Sequence, residues 1–154
     1  MDQTLIEASK EGVVDHLGIV VPDLAAACAF YRDVLRFPVS DPVVHQDQGI
    51  AVAFVQLANV RVELLAATCE RSPIEDVLED QTINHFLARN PQGGLHHVAY
   101  VVDDLIATRD RLTAGGYRVL GKGAPIIGAG GLPILFLDPK KTGGALIELK
   151  QAGR

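Results

Sequence analysis

The sequence predicts an α+β fold of two tandem βαβββ modules joined by a helical link. Three observations carry this. The segment Asp15-His16-Leu17-Gly18-Ile19-Val20-Val21-Pro22-Asp23-Leu24 is matched in register by His96-His97-Val98-Ala99-Tyr100-Val101-Val102-Asp103-Asp104-Leu105, at a constant offset of 81. Each copy ends in a late apolar strand holding one glutamate, Val62-Glu63-Leu64 and Ile147-Glu148-Leu149. Between these landmarks, short β-branched runs alternate with turn residues and one helical stretch per copy.

Taken in order, Val13 to Val21 is an apolar run bounded by Gly12 and Pro22 and reads as a strand. Asp23 caps a helix in which Leu24, Ala27, Cys28, Tyr31, Val34 and Leu35 recur at helical spacing through Arg36, before Pro38 stops it. Gly49 to Leu57 and Val60 to Ala66 are two strands joined by a tight turn at Ala58-Asn59, and Val39 to Val44 supplies a fourth. Ser72-Pro73 begins a linking helix, 72–90, which ends in Asn90-Pro91-Gln92-Gly93-Gly94. The second module repeats the order: a strand over Leu95 to Val102, a helix capped by Asp103 or Asp104 and stopped at Gly115-Gly116, then strands over Tyr117 to Leu120, Leu132 to Leu137 and Ala145 to Lys150. Gly121 to Gly131 holds five glycines and reads as a mobile loop. The modules thus run over about 13–70 and 94–151 of one domain spanning 13–154. The longer final turn, Asp138 to Gly144, accounts for the glutamates being offset by 85 rather than 81.

About half of the residues are apolar, 48 %, enough for a core. The net charge of −5, with no basic run, argues against nucleic acid or an anionic membrane as partner. Cys28 and Cys69 lack metal-type spacing, and Cys28 falls on the apolar helix face as a buried thiol of a reducing compartment. Met1 to Gly12 has neither the apolar run of a signal peptide nor the arginines of a transit peptide, and no stretch approaches the ~20 apolar residues of a membrane span; a cytoplasmic protein is expected.

Along a strand, side chains alternate faces. His16 therefore shares a face with Gly18, and His97 with Ala99, so each histidine has a small neighbour that leaves room for a metal and a substrate. His96 points the other way and reads as a core or supporting histidine. Glu63 and Glu148 stand between apolar residues, where a carboxylate is costly unless paired or metal-bound. The duplication thus predicts one divalent-metal site made by His16, Glu63, His97 and Glu148. Two imidazoles and two carboxylates suit Zn, Mn, Co, Ni or Fe(II) better than Mg or Ca. His45 and His85 have no counterpart in the other module and read as surface or linker residues; Asp103-Asp104 reads as a helix cap.

These residues resemble the vicinal-oxygen-chelate superfamily (glyoxalase, bleomycin resistance protein, dioxygenase), and within it the methylmalonyl-CoA epimerase family. The resemblance covers Val14 to Gln151. It is carried by Asp15-His16, Phe30-Tyr31-Arg32-Asp33-Val34-Leu35, Asp47-Gln48-Gly49, Val62-Glu63-Leu64-Leu65, Ser72-Pro73-Ile74 and Gly93-Gly94-Leu95-His96-His97. It continues through Ile127-Gly128-Ala129, Phe136-Leu137, Pro139-Lys140 and Gly143-Gly144-Ala145-Leu146-Ile147-Glu148-Leu149. It implies that the paired modules curl into a cup-shaped mixed sheet around one divalent metal held by His16, Glu63, His97 and Glu148. It further implies epimerisation of a 2-methylmalonyl thioester through a metal-stabilised enolate, with Glu148 as base, in a homodimer serving propionate metabolism. Some members carry a second glutamate where this chain has Val52, which cannot transfer a proton; Glu63 or a metal-bound water is then the second acid/base. Many members have histidine at the positions of Asp138 and Gly130, or threonine at the latter. Lys140, with Lys141 and Lys122, is the candidate contact for CoA phosphates, and ordinary solvated turn lysines are the alternative. Glyoxalase I-like lactoylglutathione lyase is the nearest alternative activity. A drug-sequestering binding protein on the same scaffold is an alternative of another class, and it would need no metal quartet.

Overall fold

The computed structural model describes residues 12–153. The reading of the segment before Gly12, and Arg154 at the end of the expected domain, lie outside them. The strands are β1 (Val14–Val20), β2 (Val43–His45), β3 (Ile50–Gln56), β4 (Arg61–Ala67), β5 (Gly94–Val102), β6 (Ile126–Ile127), β7 (Pro133–Leu137) and β8 (Ile147–Gln151). The helices are α1 (Leu24–Ala29), α2 (Glu75–Leu78), α3 (Ile83–Arg89) and α4 (Leu105–Ala114).

One sheet of eight strands runs β2-β3-β4-β1-β5-β8-β7-β6. Its order is a palindrome of modules: β1 pairs with β4 in parallel, β5 with β8 in parallel, and β1 meets β5 antiparallel at the centre. The modules therefore share the sheet continuously, and the expected α+β cup of two βαβββ halves is the architecture found. The outer face is covered by helices. Leu24, Ala27 and Tyr31 pack with Cys28 over Ala53, Val55, Val62 and Leu64 in the first module. Leu105 and Leu112 pack over Val102, Leu135, Leu137 and Leu149 in the second. Strands buried on both faces explain why β4 reads as an almost unbroken apolar run.

Four local expectations change. The helix expected through Arg36 is α-helical only to Ala29 and then widens into a π turn, Phe30–Val34, closed by Leu35 N–H donating to the Phe30 carbonyl at 3.0 Å. The linking helix of 72–90 is broken. Ser72 Oγ accepts from Ile74 N–H in a turn, α2 starts only at Glu75, and Glu79 at φ 56° ends it. A fresh cap by Thr82 then starts α3. The strand expected over Tyr117 to Leu120 is a single bridge, Val119 to Leu137, mirrored in the first module by Val39 to Val55. The second module's outer strand is instead β6, inside the segment expected as a loop, paired Ile126 to Ile134 and Ile127 to Pro133.

Candidate metal centre

Strand register brings the four expected ligands onto one face in two adjacent rungs. One rung runs Phe54–Glu63–Gly18–His97 across β3, β4, β1 and β5. The other runs Phe136–Glu148–Ala99–His16 across β7, β8, β5 and β1. Each histidine thus stands directly across from the other module's small residue, and the rungs are related by the internal duplication. The absence of a side chain at Gly18 is needed for this. A Cβ on Gly18 would lie 2.1 Å from Cε1 of the His97 ring.

All four side chains are buried, at 4–5 % exposure. His16 Nε2 lies 2.7 Å from Glu63 Oε2, 3.1 Å from His97 Nε2 and 3.4 Å from Glu148 Oε2; His97 Nε2 lies 3.7 Å from Glu148 Oε1. One donor atom each from His16, Glu63 and His97 falls within 4.8 Å of the others. Two imidazole nitrogens and carboxylate oxygens converging in a buried place fit a divalent transition metal. Glu148 completes the second rung beside them.

The electrostatics follow from crowding these groups away from water. Burial pushes the Glu148 carboxyl up to about 8. Burial also drives the His97 imidazole well below its usual value. Burial opposes charge on His16 too, but the hydrogen bonds to Asp15 and Glu63 outweigh it and raise His16 to about 9. Asp15 is held well below the usual carboxylate range, first by His16 and then by Lys150 and Arg61, against the effect of burial. Asp15 Oδ2 lies 2.7 Å from His16 Nδ1 and accepts from Arg61 at 2.9 Å; its Oδ1 accepts from Lys150 Nζ at 3.1 Å.

The quartet opens onto a cleft walled by Phe54, Leu65, Ile134 and Phe136 and edged by Gln48, Arg61 and Lys150. Phe54 stacks edge-on to His16, and Phe136 edge-on to His97. Lys140, Lys141 and Lys122 do not line this cleft. Lys140 borders a separate groove with Glu79, Arg118 and Asp138, and Lys141 Nζ donates to the Gly116 carbonyl at 3.0 Å. Asp138 also faces that groove and is ion-paired with Arg118 at 2.9 Å. Gly130 lines the metal cleft, where a Cβ would lie 3.2 Å from Lys150 Nζ.

Sequence reasoning missed several site residues. His96, expected as a core or supporting histidine on the opposite face, instead lines the cleft and contacts His97. Asp15, Arg61, Lys150 and the two phenylalanines had been given no role. The phenylalanines had a legible signal, since Phe54 and Phe136 each sit across from a glutamate in the duplicated frame. His45 lies on edge strand β2, half-buried, and His85 lies on α3, its side chain 43 % exposed, as expected of residues outside the site. Asp104 caps α4, its side chain accepting from Ala107 N–H.

Two βαβββ modules sharing a sheet around a His–Glu–His–Glu cluster define a class, and the glyoxalase/bleomycin resistance protein/dioxygenase superfamily model matches residues 15–136. The chain is 47 % identical over 140 residues to the ethylmalonyl-CoA/methylmalonyl-CoA epimerase of Cereibacter sphaeroides, covering 91 % of this chain and 98 % of that one. The crystal structure of methylmalonyl-CoA epimerase from Mycobacterium tuberculosis superposes with a TM-score of 0.79 at 30 % identity, covering 96 % of this chain and 92 % of that one. A methylmalonyl-CoA epimerase in complex with methylmalonyl-CoA and NH4+ superposes at 0.78 and 31 % identity, covering 93 % and 96 %. The chain belongs to the methylmalonyl-CoA epimerase family of this superfamily.

Proposed function

We propose that this protein is an epimerase that interconverts (R)- and (S)-methylmalonyl-CoA by moving the α-proton of the thioester. The observation that carries this is the pair of adjacent rungs, which gathers two imidazoles and two carboxylates beside a largely apolar cleft in a chain 47 % identical to an epimerase of that substrate class. His16, Glu63, His97 and Glu148 would hold the divalent metal, which would supply Lewis-acid stabilisation for the negative charge that develops on the thioester oxygen as the proton leaves.

Glu148 is the base. Its buried Oε accepts the α-proton while the C–H electron pair passes into the thioester carbonyl, and reprotonation on the opposite face inverts the centre. Glu63 sits at the equivalent position of the other module and is the candidate donor for that face. Val52 is buried at 2 % exposure and has no proton to give. The apolar walls keep bulk water from the deprotonated carbon.

Lys140, at the outer groove, is the contact for CoA phosphates. The protein acts in the cytoplasm as a homodimer; exposed apolar side chains such as Phe30, Val34, Val43 and Val44 offer surface for a second copy. Among the described residues, no helix is long and apolar enough to cross a membrane.

The test is α-hydrogen exchange into methylmalonyl-CoA in D2O, followed by NMR, with metal-stripped and reloaded protein. Exchange should require metal and be abolished by Glu148→Gln. Absence of exchange with metal bound would overturn the reading. Turnover on the glutathione hemithioacetal of methylglyoxal would favour a glyoxalase I-like lyase instead. If Glu63→Gln keeps metal and full turnover, Glu63 is not the donor.

A further inference from the structure

The central pair of strands carries two β-bulges, one on each side of the duplication. Val14 pairs with Tyr100 and His16 with Ala99, which leaves Asp15 as the extra residue on β1. Gly18 pairs with His97 and Ile19 with Leu95, which leaves His96 as the extra residue on β5. Asp15 and His96 are equivalent at the offset of 81. A bulge re-aims the side chain it carries. Both extra residues use this in the same way, for each contacts Nδ1 of the histidine that follows it: Asp15 Oδ2 at 2.7 Å from His16, and His96 Nδ1 at 2.9 Å from His97.

The proton positions on the second side follow from one carbonyl. His96 Nε2 lies 2.6 Å from the Gln81 carbonyl, which can only accept, so His96 Nε2 carries the hydrogen. In a neutral imidazole the other nitrogen is then bare. His96 Nδ1 is therefore an acceptor, and His97 Nδ1–H donates to it. That leaves His97 Nε2, the nitrogen turned toward His16 and Glu148, with its lone pair free.

We propose that His96 is a positioning residue: a relay from the Gln81 carbonyl through His96 fixes the tautomer and ring orientation of His97 for metal binding, as Asp15 does for His16. The two supports differ in charge. His16 is backed by a carboxylate and His97 by a neutral imidazole, so the pseudo-symmetric site has one more basic and one less basic histidine ligand. The proposal rests on the metal site described above.

The test uses Zn(II) as probe on the full chain. His96→Leu removes the acceptor; His96→Asn keeps a side-chain oxygen able to accept from His97 Nδ1–H. Zn(II) affinity by competition with a chromophoric chelator should fall roughly 10- to 100-fold in the leucine variant and remain near wild type in the asparagine variant. Long-range 15N–1H correlation spectra of the Zn(II)-loaded wild type should give His96 as the Nε2–H tautomer and His97 as the Nδ1–H tautomer, which requires no variant to fold. The opposite tautomers overturn the relay. So does wild-type affinity in His96→Leu, or an equal loss in both variants with the fold intact, which would mark a packing role only. If the wild type itself takes up no Zn(II), the metal reading fails along with the relay, whereas the other failures leave that reading standing.

Discussion

Gly18 has no chemistry of its own, yet its missing side chain makes room for the His97 ring within the four-residue cluster. The His97 ring occupies the place a Cβ would take, and both groups are fixed by the strand ladder. Gly18→Ala is therefore expected to displace the ring, with a loss of about 1–3 kcal/mol from overpacking. Metal bound per chain after dialysis should fall well below one while circular dichroism remains native-like. Wild-type metal content would sink the idea. Asp15 offers a second case. Arg61 and Lys150 both converge on its carboxylate, so Asp15→Ala unpairs two cations and leaves His16 Nδ1 without its partner. Metal affinity should drop about 10- to 100-fold, measured by the same chelator competition. The four clustered residues were legible because duplication repeats residue type in register, and the strand ladder brings those positions together. Their supports were not. Strict period-2 alternation puts His96 on the far face, and only the bulge, a backbone event with no residue signature here, brings it back beside His97.

At the level of elements, the break in the linking helix has a use that an unbroken helix would forbid. In a continuous helix the Gln81 carbonyl would accept from His85 N–H. Here Thr82 Oγ1 takes that donor at 3.3 Å, which leaves the carbonyl to hold His96. Thr82 is buried to 1 % exposure. Thr82→Ala should cost about 1–2 kcal/mol as a lost cap, read by urea unfolding. It should also weaken Zn(II) binding several-fold, because the freed His85 N–H competes for the same carbonyl. Lost stability with unchanged Zn(II) affinity would separate the cap from the site. The break was illegible because the apolar spacing over 72–90 suits one helix; what stops it is Glu79 at φ 56°, whose carboxylate is drawn to Arg118 at 2.8 Å and 2.9 Å. The outer strand β6 was missed for a different reason. Two residues among glycines carry no periodicity, and pairing with β7 alone defines them.

Over the whole molecule, duplication concentrates ionisable groups where two half-cups meet, so a metal bound there would compete with protons for one place. In the metal-free protein, burial raises Glu148 from 4.5 to about 8. The folded chain then keeps a proton that the unfolded chain releases, and stability falls as pH rises from about 4.5 to about 8. His16, raised from 6.5 to about 9, acts in the same direction: its contribution is full below 6.5 and gone by about 9. Metal-free protein should therefore melt at a lower temperature at pH 9 than at pH 6. Bound metal reverses the trend, since its ligands must be deprotonated and higher pH favours binding. A free metal concentration of about 100 times Kd adds about 2.7 kcal/mol, which for a chain of this size raises Tm by about 5–10 °C. Calorimetry with and without Zn(II) at both pH values gives four melting temperatures. The expected pattern is a metal-induced rise that is larger at pH 9. A rise equal at both values would mean that proton and metal do not share these ligands. No rise at either would mean that the buried quartet balances its own charges without an ion.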